Sequence, residues 1–207
     1  KDFSNAVDKN VENIVKVEQT AEVIKRINAD VIGLNEVYDY GNEKEYFKQT
    51  KRLANLGGYN HFKFAESYDC EICNIGNSIL SRYPILAYSE YIIPTLPKEE
   101  RIDKSLGYEP RVLAVADIDV NGSVLRVVSS HFGLVDFELK SIVKKACEII
   151  DASNVPIVLM GDFNAKPDDE RIKPIYDRLI SAAKVMDNNE FTFASYNPFM
   201  QIDYIFL

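Results

Sequence analysis

The sequence predicts one domain of mixed helices and strands, and three observations carry that prediction. Its 207 residues suit a single domain and are enough to bury a sizeable core. Hydrophobic residues make up 46% of the chain, with Tyr and Phe plentiful, which is the composition of a folded protein rather than a disordered one. The apolar period switches repeatedly between helical and extended spacing, with no repeat, low-complexity tract or linker between.

Residues 11–28 carry Ile14, Val17, Ala21, Ile24 and Ile27 on one face with charges opposite, so an amphipathic helix is expected there, broken at Ala29-Asp30. The apolar run Val31-Ile32-Gly33-Leu34 then reads as a buried strand ending in polar Asn35 and Glu36. Asn42 is placed to cap a second helix running to Leu56, stopped by Gly57-Gly58. Tyr59 to Ala65 alternates like a strand, and Gly76 to Arg82 and Ile85 to Ile93 read as two more, divided by Tyr83-Pro84. Residues 94–110 are rich in proline and charge and read as a surface loop. Val112–Val120 and Val124–Ser130 flank Asn121-Gly122, a dipeptide that favours a type I′ hairpin turn. A helix is expected over 136–151 and a buried strand over Pro156–Met160, which delivers Gly161-Asp162-Phe163-Asn164. A helix near 170–181 and a last strand over 201–207 complete the reading.

The net charge of −8 disfavours a broad basic surface for nucleic acid, without excluding it, because a bound cation reverses the local field. No stretch approaches the apolar length of a membrane span. Three cysteines, Cys70, Cys73 and Cys147, argue against a disulfide framework and for a reducing compartment, so a cytoplasmic monomer is expected. Cys70 and Cys73 form a C-x-x-C pair, but with only His61 and His131 elsewhere it makes a poor zinc site and reads as two ordinary thiols. The chain begins at Lys1 and shows no signal peptide.

The chemistry collects at strand ends. Leu34 leads to Glu36, Val128 to His131, and Leu159-Met160 to Asp162 and Asn164, while Asp203 stands within an otherwise apolar strand. Strand ends in helix-covered sheets are where ligands bind, since loops vary there over a rigid base. Each residue alone has an ordinary reading: Glu36 as a cap, Asp162 and Asn164 as an Asx-turn, His131 as a satisfied buried ring, Asp203 as an ion-pair partner. Together, hard oxygen ligands on separate strands plus one imidazole suit a Mg²⁺ phosphate site. Arg111 and Asn77 are weaker candidates for contact with a phosphate, and Arg82 reads as structural.

These residues resemble the endonuclease/exonuclease/phosphatase superfamily, which includes pancreatic DNase I, abasic-site endonucleases, neutral sphingomyelinases and inositol polyphosphate 5-phosphatases. Leu34-Asn35-Glu36-Val37 resembles its metal-ligand motif, Gly76 to Arg82 its glycine-asparagine strand, and Ser129-Ser130-His131-Phe132 its histidine strand. Gly161-Asp162-Phe163-Asn164-Ala165 is similar to its most specific signature, and Gln201 to Phe206 resembles its penultimate motif. The resemblance implies an α+β fold, a four-layer α/β/β/α sandwich of two mainly antiparallel sheets with outer helices. It implies a phosphoester hydrolase using Mg²⁺ or Mn²⁺, most like the generic bacterial metal-dependent branch, with a phosphodiester substrate that is open between nucleic acid, a phospholipid head group and a small phosphodiester. Glu36 would bind the metal, Asp162 would align or activate water, Asn164 would place the phosphate or metal, and His131 would donate to a phosphate oxygen. Asp203 would orient a second histidine.

Two pieces of the family pattern are absent: a first strand bearing a metal-binding Asn, and an Asp-His pair downstream of Asp203. One domain across residues 1–207 lacking both pieces is therefore expected, with a natural protein longer at both ends. A phosphomonoesterase on the same scaffold and a catalytically silent module that binds a phosphorylated ligand are the competing expectations. The Trp-bearing signatures of the inositol 5-phosphatases are missing, and the chain has no Trp.

Overall fold

The computed structural model describes residues 17–39, 48–69, 74–103, 107–188, 190–194 and 196–207. Within them the chain runs α1 (Val17–Ile27), β1 (Val31–Asp39), α2 (Gln49–Gly57), β2 (His61–Asp69), β3 (Asn74–Ser81) and β4 (Ile85–Ile93). It continues through β5 (Arg111–Val120), β6 (Ser123–His131), α3 (Asp136–Asp151), β7 (Ile157–Asp162), α4 (Lys173–Tyr176), α5 (Ala182–Val185) and β8 (Asp203–Phe206). The strands form a three-stranded sheet, β1-β3-β2, and a five-stranded sheet, β4-β5-β6-β7-β8. All pairs are antiparallel except β6–β7, whose parallel register is made possible by the α3 crossover between them.

Alternation along the strands builds the layers. Val112, Ala114, Ala116 and Ile118 of β5 meet Ala65 and Ile79 of the small sheet in the core between the sheets. Leu113 and Val115, offset by one residue, point the other way and pack with Leu139, Ile142, Val143 and Ala146 of α3. On the far side Val17, Ala21 and Ile24 of α1 and Leu53 and Ala54 of α2 cover Leu80, Ile32 and Leu34. The order is helices, small sheet, large sheet, helix: the expected four-layer α/β/β/α sandwich.

Several local expectations hold for the reasons given. Asn121 and Gly122 both take positive φ, 55° and 91°, as a type I′ turn requires. Gly58 caps α2 with φ 79°, while the N–H of Tyr59 reaches back to the Ala54 carbonyl at 2.8 Å. Arg82 is structural, bonded to Asn28 at 2.5 Å and lying over the Tyr59 ring. Two expectations need correction. The helix expected near 170–181 is only the single turn α4. Pro174 has no N–H to bond back to the preceding turn, so no longer helix runs through it, although Ile172, Ile175 and Leu179 keep helical spacing and are buried in the core. The loop over 94–110 contains a short 3-10 turn at Lys98–Glu100. Asn42, Cys70, Cys73 and the start of the first predicted helix lie outside the described residues, whereas Cys147 is a buried free thiol. No described helix is long and apolar enough to cross a membrane.

Gly161 illustrates how tightly the large sheet is built. A Cβ there would stand 1.8 Å from the Ser130 carbonyl oxygen, and the residue takes φ 145°. Main chain cannot yield as a side chain can, so Gly161→Ala should cost about 3 kcal/mol or more, combining overpacking with backbone strain. At Gly58 a Cβ meets nothing within 4 Å, so only the positive φ resists, and Gly58→Ala should cost about 1 kcal/mol. Urea unfolding midpoints of the two variants check the order; equal losses would mean that crowding at Gly161 is relieved by movement of β6.

Candidate active site

The site begins with an irregularity in β1. Leu34 pairs with Ser78 and Val37 with Gly76, so Asn35 and Glu36 together oppose Asn77 alone. Two residues against one is a β-bulge, which re-aims the side chains it carries, and Glu36 adopts φ 53° there. The Glu36 side chain is left 72% exposed, at the rim of a cleft of about 160 Å³ that also contains Asn77, Arg111 and His131. Asn35 turns inward instead. Its amide nitrogen donates to Asn77 Oδ1 at 2.9 Å, and its Oδ1 accepts from the Asp162 N–H at 3.0 Å. Asn77 in turn donates to the Val112 carbonyl at 3.0 Å. Two amides thus tie β1 and β3 of one sheet to β7 and β5 of the other.

The parallel pairing of β6 and β7 sets His131 beside Asp162. His131 Nε2 lies 3.8 Å from Asp162 Oδ2, and Nδ1 lies 3.9 Å from Glu36 Oε1. Asp162 Oδ1 accepts the Asn164 N–H at 2.8 Å, which is the Asx-turn that the sequence allows. Between them Phe163 is fully buried, stacked on Phe132 at 4.1 Å between ring centres, and it anchors the turn that presents its two neighbours. Burial raises the Asp162 carboxyl to about 6; its bond from Asn164 opposes the rise, while Asp203 and Glu36 add to it.

Arg111 opens β5 and is buried at 4% exposure. Its guanidinium stands 3.2 Å from His131 Nδ1 and 3.1 Å from Glu109 Oε2, while its Nε is buried without a partner among the described residues. Asn164 Nδ2 lies 2.9 Å from His131 Nε2 and donates to the Phe132 carbonyl. Burial, and then the Arg111 charge, lower His131 to about 4, so the ring is neutral near pH 7. A neutral imidazole accepts at one nitrogen only. With Arg111 on one side and Asn164 on the other, the ring is flanked by donors at both nitrogens. The cleft therefore holds donors in surplus, which is what an anion needs.

Glu36, Asn77, Arg111 and His131 line the cleft, and Asp162 and Asn164 adjoin it through His131. Asp203 stands apart: it is exposed, pairs with Asp162 across β7–β8, and lines a separate groove of about 640 Å³. Asn35, Tyr38, Tyr68 and Glu109 were not singled out from the sequence. Asn35 sits in the same Leu-Asn-Glu-Val segment as Glu36, but only the bulge reveals its inward turn. Tyr68 is pushed up to about 12 by burial and then by Glu109. Among the described residues no three His, Cys, Asp or Glu side chains gather closely enough to enclose a metal ion. Mg²⁺ does not demand such a cage, since one or two carboxylates, water and substrate phosphate suffice. The donor set fits that mode: Glu36 offers an exposed carboxylate, and its field on Asp162 is one that a cation would relieve.

Removing the Asn35 amide strands Asp162 N–H and Asn77 Oδ1 together. Each stranded group costs about 1–3 kcal/mol. Asn35→Ala should therefore lose stability of that order in urea unfolding. A loss within 0.5 kcal/mol would show, at about the size of an ordinary surface change, that the bridge is dispensable.

The residues 10–207 match the model of the Endonuclease/Exonuclease/phosphatase family. No curated protein matches the chain. Among solved structures, an endonuclease/exonuclease/phosphatase family protein from Leptotrichia buccalis is similar at TM-score 0.68 and 21% identity, over 97% of this chain and 82% of that one. A mannosyl-6-phosphatase of Bacteroides thetaiotaomicron aligns at TM-score 0.65 and 16% identity, over 92% of this chain and 75% of that one. Sphingomyelinase C from Streptomyces griseocarneus aligns at TM-score 0.61 and 16% identity, over 92% of this chain and 76% of that one. Family model, layer order and neighbours agree, and the chain belongs to the endonuclease/exonuclease/phosphatase family of phosphoester hydrolases.

Proposed function

We propose that this chain hydrolyses phosphodiesters with the help of a divalent cation, Mg²⁺ or Mn²⁺. The observation that carries the proposal is the donor surplus around His131, set between two carboxylates, Glu36 and Asp162, that face it from opposite sides. Donors fixed before the reaction stabilise charge that grows on phosphoryl oxygens without reorganising at the moment of attack. Arg111, Asn77 and Asn164 would hold the non-bridging oxygens, and neutral His131 would donate to one of them. Asp162, raised to about 6, is tuned towards the pH at which a base that takes a proton from water is most useful. Asp203, exposed and opposite Asp162 across β7–β8, stands outside this cleft. Glu36, with its side chain free at the rim, would hold the cation, which when bound offsets negative charge on the phosphoryl group.

Charge favours a diester over a monoester. Arg111 is partly neutralised by Glu109, and Glu36 and Asp162 add negative charge nearby. A bound divalent cation would be offset by Glu36 and Asp162, leaving little net positive charge for the nearly two charges of a monoester against the one of a diester. The same balance, with the net charge of −8, speaks against long nucleic acid as substrate.

The test is hydrolysis of a chromogenic bis-aryl phosphate by the full-length product of the gene, in Mg²⁺ or Mn²⁺ and then in EDTA. Metal-dependent turnover is expected, reduced about 100-fold or more in Asp162→Ala and in Glu36→Ala. Turnover of the mono-aryl phosphate alone would reassign the chain as a phosphomonoesterase. A folded protein inert on both, yet able to bind inorganic phosphate in calorimetry, would make it a silent binding module.

A further inference from the structure

Glu138 takes no part in the chemistry proposed above, yet it is fully buried in the first turn of α3. A glutamate there normally faces water, since exposure costs nothing and the helix N-terminus already favours its charge. This one is turned inward. Its Oε1 accepts the Thr95 hydroxyl and the Glu109 backbone N–H, the latter at 3.2 Å. Gly133 makes the room: a Cβ at that position would lie 2.4 Å from Glu138 Cβ and 2.9 Å from Oε2.

The two partners occupy telling places. Thr95 follows the end of β4 by two residues, and Glu109 precedes Arg111 by two. One buried carboxylate therefore pins both ends of the segment that joins β4 to β5. Glu109 is also the ion-pair partner of Arg111, so its main chain is held by Glu138 while its side chain holds the guanidinium. Glu138 Oε2 and Arg111 Nε are both buried without a partner among the described residues. Burial pushes the Glu138 carboxyl up, and the Arg111 charge opposes that rise, so the two groups interact.

We propose that Glu138 is a positioning residue for Arg111: through Thr95 and Glu109 it fixes the guanidinium against His131 before any phosphate arrives. The proposal rests on the reading that Arg111 contacts substrate phosphate. An arginine that is already ordered loses little side-chain freedom on binding, so its contribution to affinity depends on what holds it. Without Glu138 the segment entering β5 is released at both ends, and Arg111 must be ordered anew by each substrate.

The test uses the full-length gene product and a double-mutant cycle. Glu138→Ala should lower kcat/KM on the bis-aryl phosphate about tenfold, mainly through KM, the size of one side chain that must be re-ordered. In an Arg111→Ala background the same change should alter kcat/KM less than about twofold, since the two residues act as one unit. Glu138→Gln, whose amide oxygen keeps both bonds, should restore near-parental values. An activity-independent readout runs alongside: the ¹⁵N NMR resonance of Arg111 Nε–H, assigned by its loss in Arg111→Lys. It should be sharp and slow to exchange in the parent and in Glu138→Gln, and broadened in Glu138→Ala. If Glu138→Ala does not fold, Thr95→Val removes one tie without opening a large void and should broaden the same resonance. An Arg111 signal unchanged by these variants, one already averaged with solvent in the parent, or additive losses in the cycle would each overturn the proposal. A parent that hydrolyses nothing would overturn the phosphodiesterase reading instead, while the resonance would still decide the role of Glu138.

Discussion

Everything at this site depends on the partly buried amide bridge from Asn35 to Asn77 and Asp162. Two sheets packed through apolar side chains alone would have no directional preference at their edges, because burial of apolar surface is non-directional. The bridge supplies direction. Asn35 spends its donor on Asn77 and its acceptor on Asp162, and Asn77 passes the connection to Val112. Because a stranded buried polar group costs about 1–3 kcal/mol, a displacement of one sheet that broke these bonds would be opposed more strongly than any single methyl contact could manage. The cleft residues sit directly around this fixed point, so their spacing is inherited from it.

The electrostatics follow from the same placement. His131 and Asp162 lie side by side because β6 and β7 run parallel, and both are held away from water. Burial opposes charge on each, driving the histidine down and the aspartate up, so that the two ordinary ranges approach and cross. Near pH 7 both groups are therefore deprotonated, a neutral ring beside a carboxylate. Arg111, a positive charge buried beside the ring, adds to the fall of the histidine and opposes the rise of the aspartate.

Behind these groups stands a layer that touches no substrate in the proposed reading. Phe163 anchors the Asp162–Asn164 turn on Phe132, and Tyr204 donates to the Ala165 carbonyl at 2.9 Å from beneath it. Glu138 plays a similar part for the entry to β5. Rigid support of this kind is what allows a small exposed cleft to present donors without loose loops.

Much of this was legible in the sequence. Element order followed from apolar periodicity, since burial on one face imposes a period of 3.6 or 2 wherever a sheet is covered by helices. The Asn121-Gly122 turn and the helix over Asp136–Asp151 were readable for the same local reason: their conformation depends on residues a few positions apart. The stops at Glu36, His131 and Asp162 were readable too, because an apolar run that ends in a polar group is visible along the chain, although each residue alone has an ordinary reading. The tertiary structure alone decided what depends on distant segments meeting. The bulge that parts Glu36 from Asn35 exists only against Asn77, and the inward turn of Asn35 exists only against Asp162, 127 positions away. Glu138 carries no signal along the chain, because nothing within α3 shows that Thr95 and Glu109 will close over it. Asp203, which the sequence places within an apolar strand and not at its end, lines a different groove, since antiparallel pairing with β7 sets it across from Asp162 rather than within the cleft. Local conformation is settled by neighbours along the chain, whereas the partners of a polar group are settled by which strands the core brings together.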